Sequence, residues 1–232
     1  MKKMGIRARG LLITSTVVRD SLEKIAKALR DKVWMVVGNI ASQLWAYTMA
    51  GNCIYCRPTD NLNIVGIGID HDLEMLFGAV AEGFIGDQVR RLNFLVSHSP
   101  KFRIDAESYA RKRYYMSEFD RRVFLNIWNI EIPVTSLEDH IIAKLSMGRK
   151  KDFLDVRNVF LAYKRYLRSS IIMNTHPRYI IRLSLLKEIL DSEYSEIAED
   201  VILAIENITG SSFIKLREAE NRPRVMIELL KL

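Results

Sequence analysis

The stretch from Val33 to Val65 limits what this chain can fold into more than any other. Trp34 to Val37 is an apolar run too short for a helix and rich in Val. Gly38 breaks it, and Ala41 to about Ala50 holds good helix formers. Arg57-Pro58-Thr59 makes a turn, after which Asn61 to Ile67 resumes a β-type pattern through Leu62, Ile64 and Val65. The stretch therefore reads as strand, glycine turn, helix, loop, strand.

The flanking segments extend that reading. Asp20 to Arg30 predicts an amphipathic helix, with Leu22, Ile25, Ala26 and Leu29 on one face. Asp70 suits the cap of a helix from Asp72 to about Glu82, and Gly83 and Gly86 mark a loop. Arg91 to Val96 reads as a third strand. The polar, basic and aromatic segment Ser97 to Asp120 reads as containing a short helix around Asp105 to Arg111. Val123 to Trp128 and Glu131 to Val134 alternate like two further strands. Ser136-Leu137-Glu138-Asp139 resembles a capping box and opens a helix through Leu145. Gly148 separates it from a long helix over about Lys151 to Leu167. From Pro177 onward the periodicity is helical: Ile180, Leu183, Leu186 and Leu190, then Ile197, Val201, Ala204 and Ile208. Pro223 opens a last short helix. Strands before residue 135 and helices after it predict an α/β (α+β) chain. Residues 1–135 would form a mixed sheet flanked by helices, and 136–232 a helical C-terminal domain.

Composition narrows the partners. Hydrophobic residues at 49% and charged residues at 27% are the balance of an ordinary globular protein. No apolar run approaches the ~20 residues of a membrane span. The basic start, Met1 to Arg9, has no long apolar stretch behind it and reads as an arm or first strand, so the expected location is cytoplasmic. A formal net charge of +7 favours an anionic partner such as RNA or a phosphorylated ligand over a merely solvated basic surface no more than evenly. Basic residues interleaved with rings recur at Arg90-Arg91, Lys101-Phe102-Arg103, Arg111-Lys112-Arg113-Tyr114-Tyr115, Arg121-Arg122, Arg149-Lys150-Lys151 and Lys164-Arg165. Single-stranded RNA contacts use that combination, and a core of rings beneath solvated charges produces it too.

Gly38-Asn39 followed by Arg57-Pro58-Thr59-Asp60-Asn61-Leu62-Asn63 resembles the nucleotidyltransferase fold family. In that family a glycine pair or Gly-Ser opens a helix, and an Arg-x-Thr-x-Asp-apolar-Asp stretch follows on the next strand. A second block also fits. The Ser136 helix ends in Lys144-Leu145, and Gly148-Arg149-Lys150-Lys151-Asp152-Phe153-Leu154-Asp155 follows. This resembles the later motif of abortive-infection type nucleotidyltransferase toxins, which belong to toxin–antitoxin pairs. The resemblance spans roughly residues 30 to 165. It implies a nucleotidyltransferase-like fold, with Gly38, Asn39, Arg57, Thr59, Lys144, Lys151 and Asp152 as the candidate nucleotide-binding positions.

The chemistry of that family requires carboxylates. Two metal ions clamp the attacking and leaving oxygens, and Mg²⁺ takes anionic oxygen ligands. Acids two residues apart on a strand share a face and can meet at one ion. In this chain Asn61 and Asn63 hold the paired positions, and Asn93 is expected at the third. An amide has nearly the shape of a carboxylate without its charge, and it carries a donor. Asp60 has the wrong parity, and Asp70 and Asp72 lie too far along the chain. Loss of the two-metal site is therefore expected, with no metal and no cofactor.

Lys144, Asp152 and Asp155 are read in two ways: as phosphate, base or metal contacts, or as salt bridges fixing the helical domain to the sheet, with Asp152 favoured as a helix cap. The reading favoured is a degenerate, pseudoenzyme-like member that still binds nucleotide or RNA. One alternative is an active enzyme moving a nucleotide from NTP to an RNA acceptor with Mg²⁺, through Asp152, Asp155 or other acids. The other is a non-enzymatic interaction partner or homo-oligomer subunit. Cys53 and Cys56 form one pair, too few for a zinc site, and read as structural before disulfide or metal. His71, His98, His140 and His176 lack metal-ligand spacing and read as structural.

Overall fold

The apolar run Trp34–Val37 forms β1, and it lies in the middle of a sheet. The computed structural model describes residues 10–78, 81–85, 89–109 and 117–232. Gly86 and the basic clusters at Met1–Arg9 and Arg111–Tyr115 fall outside the described residues. Contacts divide the chain into two units, Met1–Ile40 with Arg57–Val134 and Ala41–Cys56 with Thr135–Leu232.

The first unit opens with α1, Thr16–Ala28, whose Val18, Leu22 and Ile25 are fully buried. Its helix starts a turn before the expected Asp20. After β1, Gly38 begins α2, Gly38–Ala50, and β2 spans Asn61–Ile67. Helix α3, Asp70–Phe77, ends at Gly78, whose φ of 81° stops the helix short of the expected Glu82. Then come β3 Ala81–Ile85, β4 Val89–His98 and β5 Lys101–Tyr109. After the one-turn α4, Glu118–Arg121, the hairpin β6 Val123–Ile127 and β7 Ile130–Val134 closes the unit.

Among the described residues these make a seven-stranded sheet in the order β3-β4-β5-β2-β1-β7-β6. Pairs β2–β5 and β1–β7 are parallel and the others antiparallel, so the sheet is mixed. Two expectations are corrected here. Gly83 is not in a loop but in β3, in register with Arg91. Asp105 to Tyr109 is not helical but the second half of β5. Phe102, Ile104, Ala106 and Ser108 alternate inward there, and the β ladder on both sides overrides local helix propensity.

The sheet's alternation sorts its residues onto two faces. Leu62, Ile64, Leu92, Phe94, Phe102 and Ile104 are buried on one, where Phe77 of α3 meets Phe94 at 5.6 Å. The opposite face carries Met35, Val65 and Phe119 as a small apolar cluster, next to a row of polar side chains.

The second unit is helical. It holds the body of α2, then α5 Leu137–Ser146, α6 Lys150–Ile172 and α7 Leu183–Glu193. A short 3-10 turn, Ser195–Ile197, leads to α8 Ala198–Thr209, α9 Phe213–Glu218 and α10 Pro223–Leu229. The Ser136 hydroxyl caps α5 by accepting from the Asp139 N–H at 3.0 Å. Trp45 of α2 donates to the Thr135 carbonyl and meets Tyr179 edge-on, so this helix is built into the unit. Cys53 and Cys56, in the turn after α2, are joined as a disulfide. The observed α/β sheet followed by helices is the expected fold class. The expected division, 1–135 and 136–232, and the observed units differ in segment 41–56 and at Thr135, both of which fall in the helical unit.

Candidate functional site

A strand register decides which polar groups meet on the sheet. Asn63 pairs with Asp105 on β5, and Asp105 pairs with Asn93 on β4. All three side chains therefore point to one face, with Asn61 two residues earlier on β2. Asn93 was expected beside the Asn61–Asn63 pair. It lies one strand further out, and Asp105 of the intervening β5 takes the place beside Asn63.

Asp105 is the centre of the row. Its Oδ2 accepts from Asn61 Nδ2 at 2.6 Å and from Arg103 Nε at 3.3 Å, and its Oδ1 accepts from Asn93 Nδ2. Asn61 Nδ2 also donates to Asn63 Oδ1 at 2.9 Å, and Thr59 Oγ1 donates to Asn61 Oδ1 at 3.0 Å. Thr59 is itself fixed, since its backbone exchanges two hydrogen bonds with Leu11. Gly38 closes one end. Its φ is +69°, and a Cβ there would lie 2.5 Å from Asn63 Nδ2, so the β1–α2 turn needs a residue without a side chain. Asn39 is buried at the start of α2, and Arg57 lies half-buried in the loop before Thr59.

A cavity of about 530 Å³ opens over this row, lined among others by Val37, Asn63, Arg91, Asn93, Asp105 and Glu107. Glu107 follows Asp105 on the same face and pairs with Arg91 at 3.0 Å. Two carboxylates, Asp105 and Glu107, are thus balanced by two guanidiniums, Arg91 and Arg103. The floor has Val37 and Val65, so a flat, uncharged polar ligand finds apolar contact below and donors and acceptors at its edge. Asp70 is no substitute ligand. It is on the other face, bonded to Arg90 at 3.0 Å and to Ser108 at 3.0 Å. Burial pushes its carboxyl up, but those bonds prevail and hold it below the ordinary range. Among the described residues no three His, Cys, Asp or Glu side chains converge as a metal-ligand set.

The residues of the second motif meet inside the helical unit. Lys144 Nζ donates to Asp155 at 2.7 Å and to Asp152 at 3.3 Å, and Arg149 adds a 2.5 Å bond to Asp152. Both carboxylates are almost fully buried. Burial raises the Asp152 carboxyl, but Arg149 and Lys144 outweigh it and the pKa falls. Lys151 is exposed. Beside them Ser42 Oγ and His140 Nε2 lie 2.8 Å apart, both buried. Burial and then the Lys144 charge push His140 down to about 3, against the pull of Asp155 and Asp152, so the ring is neutral.

Sequence reasoning missed Asp105, Glu107, Arg91 and Arg103 as members of the site. For Arg103, Asp105 and Glu107 the signal was the alternation from Lys101 to Tyr109, obscured by its charges. The Ser42–His140 bond spans 98 positions and leaves no local signal.

No protein-family model matches the sequence, and no curated protein matches it. Solved structures give similarities. A nucleotidyltransferase-like antigenic protein from Paracoccidioides brasiliensis has 12% identity and a TM-score of 0.45, over 81% of this chain and 93% of that one. The antibiotic-resistance factor ANT(2'')-Ia has 13% identity and a TM-score of 0.44, over 79% and 94%. A STING-associated CdnE c-di-GMP synthase from Capnocytophaga granulosa has 11% identity and a TM-score of 0.26, over 93% and 77%. At these scores the chemistry of this chain is left to its own side chains.

Proposed function

We propose that this is a nucleotidyltransferase-like protein that binds a nucleotide on the Asp105 face and has lost two-metal transfer. The observation that carries the reading is the hydrogen-bonded row Asn61–Asn63–Asp105–Asn93. A two-metal site wants several carboxylates turned outward to the ions. In this row Asp105 is the one acid, and the amide nitrogens of Asn61 and Asn93 are turned onto it. These residues do not fit the ions, and no transfer step is derived through them. They do suit a base: Val37 and Val65 offer an apolar surface, and Asn63, Asn93 and Asp105 offer edge donors and acceptors. The Gly38 turn supports the same reading, because it opens α2 and the positive end of a helix dipole favours a phosphate. Lys144 and Asp155, by contrast, neutralise each other within the helical unit, which supports their structural role.

The test is titration calorimetry with ATP, GTP and UTP, each with and without Mg²⁺. Binding of at least one nucleotide with an affinity that Mg²⁺ does not improve is expected. Asp105→Asn should weaken it about tenfold by removing a charged hydrogen-bond partner. Mg²⁺-dependent incorporation of labelled nucleotide into RNA would refute the loss of transfer. Absence of any nucleotide binding would leave the interaction-partner reading in its place.

A further inference from the structure

Away from the Asp105 face, a groove of about 580 Å³ runs along α1 and the β6–β7 hairpin. Five cations line it, Arg19, Lys27, Arg30, Lys32 and Arg122, against the carboxylates Glu23 and Glu131. Three of the cations have acidic neighbours: Lys27 with Glu23 at 2.9 Å, Arg30 with Asp31 at 3.4 Å and Lys32 with Asp72 at 3.1 Å. Partly exposed pairs of this kind are weak and give way readily to a phosphate. The other two cations lie over rings. Arg19 sits 5.6 Å from the centre of Trp128, and Arg122 sits 5.3 Å from that of Phe124.

The hairpin tip supplies an independent observation. Ile127 pairs with Ile130, and the two residues between them, Trp128 and Asn129, have φ of 54° and 62°. A two-residue turn of this hand is ordinarily made with Asn or Gly, because bulky residues are strained at positive φ. Strain of this kind collects where a side chain has a task. Phe124 is 45% exposed on the edge strand of the same hairpin.

We propose that this groove binds single-stranded RNA. Rings among cations take unpaired bases by stacking and phosphates by charge. A duplex hides its base faces and would leave Phe124 and Trp128 unused. A flat anionic membrane would not enter a concave lining. The net charge of +7 acts in the same direction, since it steers a polyanion to the surface. This inference is independent of the nucleotide reading at Asp105.

The experiment is fluorescence anisotropy with a short fluorescein-labelled adenosine-rich RNA, over a series of salt concentrations, on the full chain. Phe124→Ala removes an exposed ring. Trp128→Asn removes the indole with a residue that tolerates the turn. Each should weaken binding roughly tenfold while circular dichroism and melting stay native. Lys27→Ala with Arg30→Ala should lower the slope of log affinity against log salt by about 1.4, one lost phosphate contact per cation on a single strand. Failure of the native protein to bind RNA at low salt overturns the proposal. So does binding that all three variants leave unchanged, and so does capture by phosphatidylserine vesicles without capture of RNA.

Discussion

Asn61 donates one amide hydrogen to Asn63 and one to Asp105, so its charge-free side chain holds the row together. A carboxylate at 61 or 63 would reverse that, setting acids against Asp105. Like charges at hydrogen-bond distance raise carboxylate pKa values. A folded-state pKa above the unfolded one gives stability at low pH that is lost as pH rises through the folded value. Asn61→Asp with Asn63→Asp should therefore destabilise the protein at neutral pH, by about 1.4 kcal/mol for each unit of raised pKa. Mg²⁺ should restore the melting temperature of this variant by binding the folded form alone, and should leave the native protein unmoved. Equal Mg²⁺ responses in the two proteins would mean that the asparagines do not occupy a former ion site. His140 makes a separate residue-scale prediction. Unfolded His titrates near ~6.5, and in the fold it falls to about 3. Between those values the unfolded chain takes up the proton, so stability is full above pH ~6.5 and declines as pH falls. Asp70 and Asp152, whose pKa values are lowered, add their losses only below the ordinary carboxylate range. Urea midpoints across pH should show this early acid limb in the native protein, and His140→Asn should abolish it.

At the scale of elements, α5 and α6 are tied by Lys144, which reaches Asp152 and Asp155 from one turn before the Gly148 break. Breaking a buried pair costs more than the pair contributes, because it strands the other charges. Lys144→Met should cost about 3–5 kcal/mol in urea unfolding, and adding Asp155→Asn should recover part of it. A loss below about 1 kcal/mol would instead mark Lys144 as a solvated or ligand-facing cation. The sequence showed these helices well, since their starts carry a cap and a glycine break. It showed β2 equally well, because Leu62 and Ile64 alternate. It did not show β5. Arg103, Asp105 and Glu107 point outward between Phe102, Ile104 and Ala106, and a run so rich in charge reads as polar surface. Only the ladder to β2 and β4 reveals that those charges face a cavity rather than bulk solvent. The site was legible at its amide positions, because their spacing is local. Its surviving acid was not, because its neighbours are set by pairing across 42 positions of chain, from Asn63 to Asp105.

At the scale of the whole molecule, the change from strands to helices near residue 135 was legible, and the place of α2 was not. No charged residue occurs between Lys32 and Arg57. A helix without charge must be covered nearly all round. Ala41, Leu44, Trp45, Ala46 and Met49 are at most 4% exposed, and Gln43 and Ser42 are buried with them. Segment 41–56 belongs with 135–232, so the helical unit is assembled from two pieces of chain with the sheet's strands between them. Its internal bonds make that concrete: Ser42 to His140, and Trp45 to the Thr135 carbonyl and the Tyr179 ring. Cutting the chain at residue 135 would therefore leave residues 136–232 without a central helix and residues 1–135 with an uncovered one. Burying a Trp and several aliphatic side chains contributes about 1.5–3 kcal/mol each, so their loss exceeds the usual margin of a small domain. The fragment 136–232 alone should show reduced helicity and no cooperative melt. Fragment 1–135 should self-associate and bind a hydrophobic dye. A synthetic peptide covering 38–56, added to 136–232, should restore helicity and a melting transition. If 136–232 instead melts cooperatively as a monomer with no peptide present, α2 is peripheral to that unit and the two-piece assembly is wrong.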